Sequence, residues 1–332
     1  MSITPNFPRL MQAYFLERLM RQQQASSHTI ASHRDTFRLL IAFAHTQLHL
    51  SPSELSIQDL DATFIVAFLV HLEKERGNSP RSRNTRLAAI HSFYRYVALN
   101  EPSLTDLAQR VLVIPNKRYE RKQVNFLTRE EADALLAAPD QDTWIGRRDR
   151  VLLLVALQTG LRVSELTSLC WDSIIFGSGA YIKCTGKGRK ERCTPLRNEA
   201  VVALRSWAVE CQSESSAPVF PSSRGGHLSR DAIEYLIAKY AAKASHQCKT
   251  LKKKRISPHV LRHTTAMELL RHGIDRSVIA LWLGHESVST TDIYLHADLQ
   301  MKEHALAKTT SPDLKSGRYK PHDQVLAFLN AL

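Results

Sequence analysis

Cysteine is scarce. The five present (Cys170, Cys184, Cys193, Cys211, Cys248) are odd in number and include no Cys-x-x-Cys pair. Neither a disulfide framework nor a cysteine zinc knuckle is therefore expected, and the five read as reduced, mostly buried thiols. Long apolar runs are missing as well: Phe64 to Val70 and Val151 to Leu157, the longest, fall far short of the roughly 20 residues needed to span a bilayer. With no isolated amphipathic helix bearing a basic face and no lipidation signal, no membrane partner is expected. Met1-Ser2-Ile3-Thr4-Pro5 lacks the basic and apolar regions of a secretory leader, which makes the expected location cytoplasmic. There is no internal repeat. No Gly-x-x-x-x-Gly-Lys-Ser/Thr loop is present to cradle a nucleotide. Acids are the minority charge, 32 against 45 lysines and arginines, and the net +13 calls for a polyanionic partner.

What is present reads as a globular chain. Of its 332 residues 43% are hydrophobic and 23% charged, which excludes wholesale disorder, and the length suits two domains. From Arg9 to Glu101 apolar residues recur at helical spacing between polar breaks, and no stretch alternates as a strand would. The best helix follows Gly77-Asn78-Ser79-Pro80 and puts Leu87, Ile90, Tyr94 and Val97 on one face. Arg81, Arg83 and Arg86 crowd its start, where backbone N–H groups and basic side chains can hold phosphate together, or where a solvated helix end can simply carry charge.

A basic stretch after Pro115, containing Lys117, Arg118, Arg121 and Lys122, has no apolar periodicity and reads as a linker. Thr128 and Glu131 then form a capping-box pattern that opens a second domain. A helix from about Arg147 to Gln158 is expected to stop at Thr159-Gly160, and another to open at once with Arg162-Val163-Ser164-Glu165-Leu166. Tyr181 to Thr185 and Arg192 to Leu196 are β-prone segments flanking the basic tip Gly186-Lys187-Gly188-Arg189-Lys190-Glu191, a hairpin. The run Lys249 to Arg255, with Lys252 and Lys253, precedes a helix near Pro258 and reads either as a phosphate-contacting segment or as a solvated loop. The expected fold class is mainly α: an all-α domain over residues 1–115, a linker over 116–126, a mostly helical α+β domain with a small antiparallel sheet over 127–310, and a tail over 311–332.

Moving a phosphodiester between oxygens without a metal takes a nucleophile, cations for the non-bridging oxygens and an acid for the leaving alkoxide. Arginine suits the clamp, because its planar fork donates two hydrogen bonds and stays charged. Arg162 sits just past a helix-ending glycine. Arg262 lies three residues after His259, a spacing that brings both to one helical face. His259 and His263 have the i, i+4 spacing of a zinc pair, but position 260 is valine where the metalloprotease motif has glutamate, and an arginine lies between them, so no metal is expected. Tyr294 follows a helix-ending Gly284 and a polar stretch, and only the company of histidine and arginine makes it a candidate nucleophile.

The ordered set resembles the tyrosine recombinase family of phage integrases, Xer-type resolvases and mobile-element recombinases. Thr159-Gly160-Leu161-Arg162-Val163-Ser164-Glu165-Leu166 is similar to its first arginine box, Gly186-Lys187-Gly188-Arg189-Lys190-Glu191-Arg192 to its lysine segment, His259-Val260-Leu261-Arg262-His263-Thr264 to its H-x-x-R box, and Leu283-Gly284-His285 with Tyr294 to its closing box. The helical N-terminal part resembles the family's core-binding, SAM-like domain, notably over Asn84 to Tyr96.

The resemblance implies that Tyr294 attacks a phosphate to give a 3'-phosphotyrosyl link and a free 5'-hydroxyl, with no cofactor. It implies that Arg162 and Arg262 neutralise the transition state, Lys187 protonates the leaving oxygen, His259 assists proton transfer at the tyrosine, His285 bonds a non-bridging oxygen, and Glu165 positions the site. Lys190 is a second candidate for the acid. The implied partners are double-stranded DNA and, on synapsed sites, further copies of the chain in a homo-tetramer or related recombinase subunits, and the tail would reach a neighbouring subunit or fold back on its own. The implied role is integration, excision or transposition of a mobile element. The alternatives are a type IB topoisomerase-like nicking-closing enzyme and a non-catalytic DNA-binding accessory protein.

Overall fold

The structure, a computed structural model, describes residues 7–120, 124–177, 179–185, 191–211 and 214–284. The chain divides after residue 121 into two compact units, each built on a hydrophobic core of its own. Among the described residues the fold is mostly helical with one three-stranded antiparallel sheet.

In the first unit, α1 (Phe7–Ala13) runs into a π-helical stretch (Tyr14–Gln22), followed by α2 (Ser27–Leu48), α3 (Ala62–Lys74), α4 (Pro80–Asn100) and α5 (Thr105–Leu112). Side-chain caps explain the starts: Ser26, Asp61 and Ser79 each accept a backbone N–H from the first turn, and Pro80 sits where a helix needs no N–H of its own. Helix α4 is the centre. Its expected face of Leu87, Ile90, Tyr94 and Val97 is wholly buried, and Phe93 meets Phe7, Tyr14 and Phe37 edge to face. The segment leaving this unit is strapped to α4. Asn84 donates to Lys117 O at 2.8 Å and accepts from Lys117 N at 3.0 Å, and Arg83 donates to Pro115 O at 3.1 Å.

The second unit opens with α6 (Arg129–Ala137), where Thr128 and Glu131 form the expected reciprocal cap, with bonds of 2.9 and 3.3 Å. Helix α7 (Trp144–Thr159) begins three residues earlier than its apolar pattern suggests, because Thr143 caps it through Gly146 N at 3.0 Å. It ends at Gly160 in the left-handed conformation, and α8 (Val163–Thr167) follows. The sheet is β1 (Ile174–Ile175), β2 (Tyr181–Thr185) and β3 (Glu191–Pro195) in that order, antiparallel, with Cys184 opposite Arg192 and Ile182 opposite Thr194 on the inner face. Strand β1 is too short to carry an alternating pattern.

Helices α9 (Asn198–Cys211), α10 (Arg230–Ala244), α11 (Pro258–Arg271) and α12 (Arg276–Leu283) complete the described part, and α6, α9 and α11 pack around α7. The run preceding α11 is a 3-10 turn (Lys249–Lys253) anchored by buried Leu251. All five cysteines are free thiols, but the expectation that most are buried fails. Only Cys184 is buried and Cys193 is exposed, because successive β3 side chains face opposite sides of the sheet. Among the described residues no helix is long and apolar enough to cross a membrane.

Candidate active site

The end of α7 sets the first piece of geometry. Gly160 adopts φ +64°, and a Cβ there would lie 2.7 Å from Leu283 Cδ2 and 3.3 Å from Thr265, so only glycine lets α7, α11 and α12 meet this closely. Arg162, at the start of α8, donates from its backbone N–H to Glu165 Oε2 at 2.7 Å, from Nη1 to Glu165 Oε1 at 3.0 Å and from Nη2 to Gly284 O at 2.6 Å. Arg262 reaches inward from α11, where it is 5% exposed, and donates from Nη1 to Gly160 O at 2.6 Å and from Nη2 to Leu283 O at 2.5 Å. Two arginines far apart in sequence thus converge on adjacent carbonyls at the C-terminus of α12, the end where unpaired carbonyls and the helix dipole favour cations. The chain passes from that corner to His285.

A third arginine joins them. Arg192 of β3 faces Glu165 fork to fork, Nη1 on Oε1 and Nη2 on Oε2, both at 2.7 Å. Burial pushes the Glu165 pKa up, but the Arg192 pairing and the Arg162 N–H more than reverse this and hold it below the ordinary carboxylate value. Sequence reasoning placed Arg192 at the start of a strand and the end of the lysine segment but gave it no role. The signal that could have found it is the alternation of β3, which turns Arg192 inward together with Thr194.

His259 and His263 stand one turn apart on α11 with ring centroids 6.5 Å apart. His259 is exposed at its edge while Arg262 is buried, so the shared helical face splits: the histidine lies at the rim and the guanidinium inside. Partial burial of the His259 ring, followed by the charges of Arg262, Arg230 and Arg162 and opposed by Glu234, lowers its pKa. His263 is driven down to about 4 by burial, then by His259 and Arg262. Both rings are therefore neutral near pH 7, and His259 can accept a proton. Among the described residues no group of three or more metal-ligating side chains occurs.

Comparison with known proteins settles the family. Residues 125–301 match the phage integrase family, and residues 13–101 match the phage integrase N-terminal SAM-like domain. The chain is a tyrosine recombinase. It is 55% identical to the Sinorhizobium fredii protein "Putative integrase/recombinase y4rC" over 323 residues, 97% of each chain. It is 34% identical to tyrosine recombinase XerC of Xanthomonas campestris over 286 residues, covering 86% of this chain and 84% of that protein. In fold it is similar to the XerH site-specific recombinase bound to palindromic difH substrate, with TM-score 0.69 and 20% identity over 87% of this chain and 82% of that one. Members of the family cut and rejoin DNA strands in site-specific recombination.

The recombinase treats its expected DNA-contacting residues unequally. Arg81, Arg118, Lys252 and Lys253 are exposed. Arg83 is largely covered, bonded to Pro115 O and lying 4.0 Å from Glu73, and Arg86 is half-buried, donating to Thr36 Oγ1 at 3.3 Å. Lys117 pairs with Glu73 at 3.0 Å. Lys254, in the same basic run as Lys252, is held by Glu131 Oε2 at 2.6 Å and Phe126 O at 2.8 Å. Lys187, Lys190, His285, Tyr294, Arg121 and Lys122 lie outside the described residues.

Proposed function

We propose that this recombinase cleaves DNA through Tyr294, whose hydroxyl oxygen attacks the scissile phosphorus to form a 3'-phosphotyrosyl bond while the 5'-oxygen leaves with a proton from Lys187. Attack of a 5'-hydroxyl from a partner strand reverses the step, so the bond energy is conserved and no nucleotide is consumed. Arg162 and Arg262 take the charge that develops on the non-bridging oxygens, a contribution of several kcal/mol in a site poor in water. His259, neutral near pH 7, accepts the tyrosine proton, and His285 bonds a non-bridging oxygen.

The observation that carries this reading is the convergence of Arg162 and Arg262 on the Leu283–Gly284 carbonyls, which gathers the first arginine box, the H-x-x-R box and the start of the closing box at one corner. The exposed Arg81, Arg118, Lys252 and Lys253, with the linker lysines and arginines, would grip the duplex through its phosphates. Identity of 55% with a protein named an integrase/recombinase favours movement of a mobile element over chromosome housekeeping. The working form would be a tetramer on two synapsed sites. The tail over 311–332, which carries Val325, Leu326, Phe328 and Leu329, would dock on a neighbouring subunit or pack back on its own.

The test is trapping on nicked suicide duplexes that carry DNA from beside the gene, in EDTA. An SDS-resistant protein–DNA adduct is expected from the wild type and none from Tyr294→Phe, whose DNA affinity should be unchanged. Tight binding without any adduct would sink the proposal in favour of a binding protein. Relaxation of any supercoiled DNA by monomers, without synapsis, would point to a nicking-closing enzyme.

A further inference from the structure

Glu165 places a buried negative charge beside the guanidinium proposed to hold the phosphate. Arg162 donates to it at 3.0 Å from Nη1 and at 2.7 Å from the backbone. Alone, these two residues would form a neutral ion pair, and a guanidinium whose charge is already matched in a poorly solvated pocket attracts a phosphate weakly. Arg192 changes the balance. Its two bonds to Glu165 are both 2.7 Å, and the two side chains are 9% and 4% exposed, so the carboxylate is committed to a close, bidentate partner. Three residues then carry a net charge of one positive unit in place of none.

The position of Arg192 matters as much as its charge. It stands in β3 two residues after the segment 186–190 that includes Lys187, and it lies against the corner from which the chain leads to His285. A Cβ on Gly284 would come within 2.8 Å of Arg192 Nη1 and 3.1 Å of its Cδ. Among the described residues its buried Nε has no hydrogen-bond partner, so within them the side chain forgoes a bond while its fork stays on Glu165.

From this geometry we infer that Arg192 is a positioning residue of the recombinase. It takes up the charge of Glu165 so that Arg162 keeps a positive charge for the scissile phosphate, and it anchors the root of the Lys187 hairpin against the Arg162–Gly284 corner. The inference rests on the reading of Arg162 as a phosphate clamp.

The experiment compares full-length wild type, Tyr294→Phe, Arg192→Gln, Arg192→Lys and the double variant Glu165→Gln/Arg192→Gln. Single-turnover adduct formation on the suicide duplex, DNA affinity and melting temperature are read for each. Arg192→Gln should slow adduct formation about 10- to 100-fold, less than the roughly 100- to 1000-fold lost with a donor that touches the transition state itself, with DNA affinity within about threefold of wild type. Arg192→Lys keeps the charge but loses the bidentate fork, so it should cleave within about tenfold of the wild-type rate and faster than Arg192→Gln. The double variant should recover most of the lost rate, because a neutral amide no longer cancels Arg162.

Wild-type rates in Arg192→Gln, or a double variant no faster than Arg192→Gln, would overturn the inference. So would Arg192→Lys as slow as Arg192→Gln, since that marks a purely architectural fork. If Arg192→Gln does not fold, the other two variants decide, and either one melting normally yet cleaving at below about a tenth of the wild-type rate overturns the idea. A wild-type adduct missing in Tyr294→Phe supports the phosphotyrosyl reading whatever Arg192 does; absence of the wild-type adduct overturns that reading and this inference together.

Discussion

Two histidines on α11 show how the site fixes protonation as well as position. His263, at about 4 against an ordinary 6.5, is neutral in the folded protein over a range where the unfolded chain binds a proton. Stability should therefore fall as pH drops from about 6.5 to about 4 and level off below, losing roughly 1–3 kcal/mol from this group. His263→Gln should flatten that limb in urea titrations run across this range; an unchanged slope would place the acid sensitivity elsewhere. At this scale the sequence was informative where function is written locally. Arg162 after Thr159-Gly160-Leu161 and Arg262 after His259 are short strings with their own spacing logic, and the structure brings both to one corner. The role of Arg192 was not legible, because what gives it meaning is a carboxylate on another element, Glu165 of α8, which only the folded chain brings within reach of β3. Arg83 and Arg86 each spend one guanidinium nitrogen inside the first unit, on Pro115 O and Thr36 Oγ1, which an arginine-rich helix start does not announce.

Elements were legible to the extent that their ends carry chemistry. Thr128 with Glu131, Ser79 with Pro80, and Gly160 and Gly284 past their helices all mark boundaries that the fold uses. The start of α7 was placed late because Thr143 caps it ahead of its apolar stripe. The π-helical Tyr14–Gln22, the 3-10 turn Lys249–Lys253 and two-residue β1 have no period long enough to read. Gly160 and Gly77 provide an internal comparison. Both have positive φ, +64° and +62°, but a Cβ at Gly77 meets nothing within 4 Å whereas one at Gly160 meets Leu283 at 2.7 Å. Gly77→Ala should cost about 1 kcal/mol for the left-handed backbone alone. Gly160→Ala should cost about 2–4 kcal/mol, since Leu283 must move. Because the Leu283 carbonyl receives Arg262, the second substitution should also slow adduct formation. Equal urea midpoints for the two variants would show that the α7–α12 contact is not tight.

For the whole molecule, two cores on one chain and a net charge of +13 raise the question of whether both units hold the same duplex. The exposed basic residues separate by unit: Arg81 and Arg118 lie in the first, Lys252 and Lys253 in the second. Each phosphate contact removed should lower the slope of log affinity against log salt by about 0.9. Arg81→Ala/Arg118→Ala and Lys252→Ala/Lys253→Ala should thus each reduce the slope by up to about 2 on non-specific duplex DNA. Lys254→Ala should lower the melting temperature instead, because Lys254 is spent on Glu131 and Phe126. If both units grip one duplex, the quadruple variant should lose the sum of the two slope changes, as independent contacts do. If only one unit engages, one pair alone will matter and the quadruple variant will match it.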